Sequence, residues 1–147
     1  MSDNIGTIRR GFAAFAAGDL DTLREVFDPA IVWHEPGRSS VSGDYRGFEA
    51  TLGFFMQLGE RSGGTFKAEL VECGEIAPDL VACLVQVSGA NIAGSLDQRS
   101  VLVFQLRAGR AVEVWNFSIN QYAQDAFWGP GAISLPDSRK ESAPITT

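Results

Sequence analysis

Residues 58–70, LGERSGGTFKAEL, hold the change on which the fold turns. Upstream of it, Phe48, Leu52, Phe55, Met56 and Leu58 recur at helical intervals, and Ser62-Gly63-Gly64 ends that helix. Downstream the apolar period becomes that of a strand. The pattern predicts strands over residues 65–77, 80–92, 96–107 and 110–119. Ala77-Pro78-Asp79, Ala93-Gly94-Ser95 and Ala108-Gly109 are the turns between them. Long strands joined by short turns make an antiparallel meander. Gln121–Trp128 reads as a short closing helix, and a Gly/Pro/Ser-rich tail follows over 129–147. That tail has little to bury, so it is expected to lean on a partner subunit.

Toward the N-terminus, Ile5, Ile8, Phe12, Phe15 and Ala16 predict an amphipathic helix over 3–17. Gly18 is its left-handed stop and Asp19 caps a second helix carrying Leu20, Leu23, Val26 and Phe27. Asp28-Pro29 ends that helix. Ala30–Glu35 is β-branched and aromatic, a strand that stops at Pro36-Gly37 before a polar loop over 37–46. Three helices followed by a curled sheet define an α+β domain over residues 1–128. The expected shape is a cone, a curved antiparallel sheet wrapped around the three N-terminal helices, with a small-molecule pocket at its mouth.

Composition narrows the partners. The chain has 147 residues, 45% hydrophobic, enough for one domain with a sizeable core. Twelve basic residues against 18 acidic ones give a formal charge of −6 with no Lys/Arg cluster, which argues against nucleic acid. No run approaches the length of a membrane span. Cys73 and Cys83 have neither metal spacing nor a CxxC arrangement and read as reduced, inert thiols in a cytoplasmic protein. His34 is the single histidine, so metal sites built on two imidazoles are out of reach. No metal and no cofactor are expected.

Ala17-Gly18-Asp19-Leu20, Val32-Trp33-His34-Glu35-Pro36-Gly37, Tyr45-Arg46-Gly47, Ser62-Gly63-Gly64-Thr65-Phe66 and Gly109-Arg110 follow one another in the order and spacing of a known family. Over residues 5–128 the chain resembles the SnoaL-like branch of the nuclear transport factor 2-like superfamily. The resemblance implies the cone fold and frequent pairing through the outer sheet face. It also implies a range of activities: isomerases, polyketide cyclases, dehydratases, epoxide hydrolases and non-catalytic binding domains. Fold alone does not choose among them.

The resemblance sets Glu35 where ketosteroid isomerase-like proteins carry a general-base aspartate before a proline. A carboxylate at the mouth of an apolar cone is desolvated and its pKa rises toward the useful range; the alternative is an exposed strand-end glutamate. Alternation allows only one of His34 and Glu35 to face inward, unless a bulge before Pro36 admits both. The isomerase's oxyanion donors would fall at Leu102 and Gly11, neither of which can donate from a side chain, so that reaction is excluded.

On the same register Gln98, Ser100, Leu102 and Phe104 point inward, as do Val112, Val114, Asn116 and Ser118. Asn116 either orients a carbonyl or water, or bonds across the sheet. Gln98 and Ser100 join it as substrate contacts, Tyr45 is a loop residue able to cover the mouth, and Phe15, Phe55 and Trp33 are counted in the lining. The outer face carries Asp97, Arg99, Trp115 and Phe117. Trp115 and Phe117 point to a homodimer interface. Asp97 and Arg99 fit a surface ion pair better than an epoxide-hydrolase triad, which would need a second aspartate.

Two functions follow. One is a cofactor-independent acid/base enzyme on a small, mostly apolar cyclic or polyketide-like substrate, using Glu35, His34 and Asn116 for cyclisation, isomerisation, dehydration or epoxide opening. The alternative is a non-catalytic small-molecule-binding homodimer; a pure dimerisation module is a third, lesser reading.

Overall fold

The computed structural model describes residues 3–131. Helix α1 (Asn4–Ala17) starts at Asp3, whose carboxylate accepts from Gly6 N at 2.9 Å, and stops at Gly18 with φ 67°. Asp19 then accepts from Thr22 N and opens α2 (Leu20–Val26). Strand β1 (Phe27–Glu35) begins directly at the end of α2, three residues before the Ala30 start expected from sequence. Asp28-Pro29 therefore lies inside the strand, in the irregular stretch between its Phe27 and Val32 pairings.

The polar loop holds a further strand, β2 (Gly43–Arg46), which pairs antiparallel with β1 and leads through Gly47 into α3 (Phe48–Arg61). The meander is as predicted to within a few residues: β3 (Lys67–Ala77), β4 (Leu80–Asn91), β5 (Gly94–Arg107) and β6 (Arg110–Ser118). Its hairpins turn through positive-φ residues, Asp79 (60°), then Ala108 (53°) with Gly109 (77°). Helix α4 (Gln121–Trp128) is capped by Asn120.

One six-stranded, curved and unclosed sheet results, ordered β2-β1-β6-β5-β4-β3. It is mixed, because β1 runs parallel to β6. That seam brings the first strand beside the last.

Helices and sheet meet over an apolar interior. Helix α1 buries Ile8, Gly11 and Ala14, and α3 buries Phe48, Thr51, Phe54 and Leu58, each set at helical spacing. Strand β4 offers Val81, Cys83, Val85 and Val87 from alternate positions, and β5 offers Leu102, Phe104 and Leu106. Val112, expected inward, instead sits at a bulge where the β5–β6 pairing skips from Gln105–Glu113 to Leu106–Ala111. Ala111 is the buried residue there.

Beyond α4, Gly129 accepts from Ser40 N at 2.8 Å and Gly131 donates to Arg38 O. The start of the predicted tail thus packs along the loop after β1; residues 132–147 lie outside the described residues. Among the described residues no helix is long and apolar enough to cross a membrane.

Candidate active site

Strand alternation fixes which side of β1 does chemistry. Ile31 and Trp33 are buried against the helices, so Glu35, two residues on, turns to the same side and borders the interior cavity. His34 turns to the outer face. There its Nδ1 lies 2.8 Å from Asp44 and its Nε2 2.6 Å from Glu113, with the ring stacked on Trp115. No bulge brings both residues inward, and His34 has no access to the cavity.

Glu35 is held at both oxygens. Trp33 Nε1 donates to Oε1 at 3.0 Å, and Asn116 Nδ2 donates to Oε2 at 2.9 Å across the β1–β6 seam. Protein encloses the carboxyl except where it faces the cavity. Burial pushes its pKa from 4.5 up to about 7, against the two hydrogen bonds, which favour the ionised form. Near neutral pH the group is therefore present both as acid and as base, the condition general acid–base chemistry needs.

The cavity has a volume of about 80 Å³ and is mostly apolar. Phe12 and Phe15 from α1, Phe54 and Phe55 from α3, and Leu102 and Phe104 from β5 form much of its wall. At its rim half-buried Phe15 meets Phe55 and Phe66 edge to face, with ring centres 5.0 and 6.4 Å apart. A separate groove outside, between Arg24, Arg46, Phe48 and Arg110, shares only Phe27 with this cavity.

Trp33, Phe15, Phe55, Ser100 and Asn116 all line the cavity with Glu35. Gln98 and Tyr45 do not, which corrects the expected substrate contacts. Gln98 lies on the inward register, but its amide is spent on the backbone of Asn120, donating to O at 3.2 Å and accepting from N at 3.0 Å. Tyr45 belongs to β2, not to a loose lid: its ring stacks on Phe54 and its hydroxyl donates to Val41 O at 2.7 Å. Asn116 gives one N–H of its amide to Glu35.

Asp97 and Arg99 form no ion pair with each other; both bond to the Gln86 amide on the neighbouring strand. Asp125 accepts from Arg38 N, outside the cavity lining. Leu102 and Gly11 do line the cavity, so the two places where the resemblance expects oxyanion donors offer none.

Sequence reasoning missed the contribution of α4. Gln124 and Trp128 line the cavity, with Trp128 Nε1 donating to Gln124 Oε1 at 2.9 Å. Their i, i+4 spacing on a predicted helix, with Phe127 beside them, was the available signal.

Four helices packed on one curved, unclosed mixed sheet make a cone-shaped α+β fold of the nuclear transport factor 2-like class. Within that class the chain belongs to the SnoaL-like domain family, whose profile matches residues 8–114. It is similar to Bal32a from a soil-derived mobile gene cassette, at 37% identity and a TM-score of 0.83, over 86% of this chain and 96% of that one. A Xanthomonas campestris protein of unknown function with a cystatin-like fold matches at 32% identity and 0.80, over 88% and 99%. Wild-type IdmH from Streptomyces antibioticus, a candidate polyketide cyclase, matches at 26% and 0.67, over 83% and 97%.

Proposed function

We propose that this chain is a cofactor-independent proton-transfer enzyme of the cyclase type, binding a small, mostly apolar cyclic or polyketide-like molecule in the cone. The observation that carries this reading is Glu35, a carboxyl held by Trp33 and Asn116 at the edge of an apolar cavity, where burial pushes its pKa up to about 7. Its ionised form takes a proton from an activated carbon of the bound molecule, and the resulting acid returns one to the product. Trp33 and Asn116 hold the two oxygens, fixing the direction of the free lone pairs. The similarity to IdmH, a candidate polyketide cyclase, suggests the substrate class, and the aromatic wall suits a flat ring.

The test is deuterium exchange. Cyclic ketones with one activated carbon, such as 2-tetralone, are incubated with the protein in D₂O and followed by NMR. The wild type should accelerate incorporation, and Glu35→Gln should lose at least about 100-fold of that acceleration. Equal rates for the two proteins would remove Glu35 from the mechanism.

The binding-module reading is favoured by one observation, Leu102 and Gly11 in the cavity wall, which leave a developing enolate without the side-chain donors an isomerase provides. Under that reading a ring ligand binds, exchanges no proton and dissociates unaltered.

A further inference from the structure

Among the described residues, four buried side-chain oxygens lack a hydrogen-bond partner, and three of them sit together: Ser100 Oγ, Asn116 Oδ1 and Ser118 Oγ. Ser100 stands opposite Ser118, and Asn116 opposite Leu102, one inner-face position further along the β5–β6 pairing. Ser100 and Asn116 border the cavity; Ser118 does not. Diagonal neighbours of this kind lie about 7–8 Å apart on one face of the sheet, so a polar group seated between them faces both side chains.

The senses of the two groups are not interchangeable. Asn116 is oriented by Glu35: one N–H of its Nδ2 goes to the carboxylate, and its Oδ1, an acceptor only, is buried without a partner. Ser100 can donate or accept. A ligand hydroxyl satisfies both at once, donating to Asn116 Oδ1 and accepting from the Ser100 hydroxyl. A carbonyl satisfies Ser100 alone and sets its oxygen against that of Asn116. A methyl group satisfies neither and leaves both buried without partners.

We infer that Ser100 and Asn116 Oδ1 form a hydroxyl-reading corner, and that the ligand of this cone is a hydroxylated ring, a phenol or stable enol, seated beside Glu35. Ser100 is the specificity-determining residue to test, because its hydroxyl has no other partner, whereas Asn116 also holds Glu35. The inference rests on the cone being the ligand site, as proposed above, but not on proton transfer taking place there.

The isosteric pair p-cresol and p-xylene tests it, titrated calorimetrically into the full chain. Cresol should bind at least about tenfold more tightly, although it is the more soluble in water. In Ser100→Ala that ratio should fall several-fold, with an unchanged or higher Tm, since the hydroxyl has no protein partner to lose. Equal binding of cresol and xylene overturns the hydroxyl-reading corner while leaving the cone as an apolar ligand site. A cresol preference that survives Ser100→Ala unchanged overturns the role of Ser100. Binding of neither ring overturns this inference and the proposed ligand site together.

Discussion

Replacing Glu35 by Gln should stabilise the protein while disabling it, and the gain should depend on pH in a defined direction. A carboxyl whose pKa rises from 4.5 to about 7 on folding binds its proton more tightly in the native state, so its ionisation costs folding free energy. The cost is absent below the unfolded value. It grows as pH rises between the two values and is fully present above the folded one. At 1.36 kcal/mol per unit the full penalty is about 3 kcal/mol, and most of it develops between pH 5 and pH 8. The Glu35→Gln variant, with nothing to ionise at this position, escapes the penalty. Its amide also disturbs the bonds from Trp33 and Asn116, but that disturbance does not vary with pH and cancels when the same pair of proteins is compared at two pH values. Urea unfolding of wild type and variant at pH 5 and pH 8 supplies the comparison. The variant's advantage should widen by roughly 2–3 kcal/mol from the lower to the higher pH. For a domain of this size that is roughly 5–10 °C in Tm. A difference that stays flat from pH 5 to pH 8 would show Glu35 titrating as a solvated carboxyl, and the proton-transfer reading would lose its foundation.

The outer cluster should behave in the opposite sense. The hydrogen bond to Asp44 raises the His34 pKa above 6.5 and Glu113 adds to it, so the stability from this cluster is fully present below 6.5 and lost as pH rises through the higher folded value. His34→Gln should therefore cost about 1 kcal/mol at pH 5.5 and little at pH 9 by urea unfolding, and a cost that grows with pH would contradict this. We further propose that the outer face, where half-exposed Phe117 pairs with Val101 and Trp115 with Val103, is a homodimer interface. Light scattering should give a dimer for the wild type and a monomer for Phe117→Asp; a monomeric wild type would refute the interface.

Much of this architecture was legible because its signals are local. The period change after Ser62 and the three turns placed the meander, and Gly18 with Asp19 placed the helix break. What escaped was set by distant partners. Strand β2 hides in GDYR, a polar stretch that is a strand only because Val32–Glu35 of β1 lies beside it. The parallel seam between β1 and β6 leaves no trace in either segment. At the site, period-2 reasoning reduced His34 and Glu35 to a choice, and the decisive signal was Trp33: a large aromatic in a short apolar strand is buried, and Glu35 shares its face. Gln98 misled because correct register does not guarantee access, since the turn at Asn120 claimed its amide first. Ser100 was placed inward, but that its hydroxyl would lack a partner depends on what the neighbouring strand does not offer.

The β1–β6 seam also governs when the carboxyl acquires its character. Strands β3 to β6 each pair with their chain neighbour and can zip together by short loop closures, whereas Glu35 meets Asn116 across 81 residues. During synthesis Glu35 leaves the ribosome 81 residues ahead of Asn116 and waits for β6 to follow. A nascent chain that has not yet delivered β6 has no wall to enclose Glu35 and no amide to hold it, so the residue is an ordinary, wet glutamate. Its altered acidity is thus among the last properties the folding chain gains, and a measure of whether assembly has reached its end.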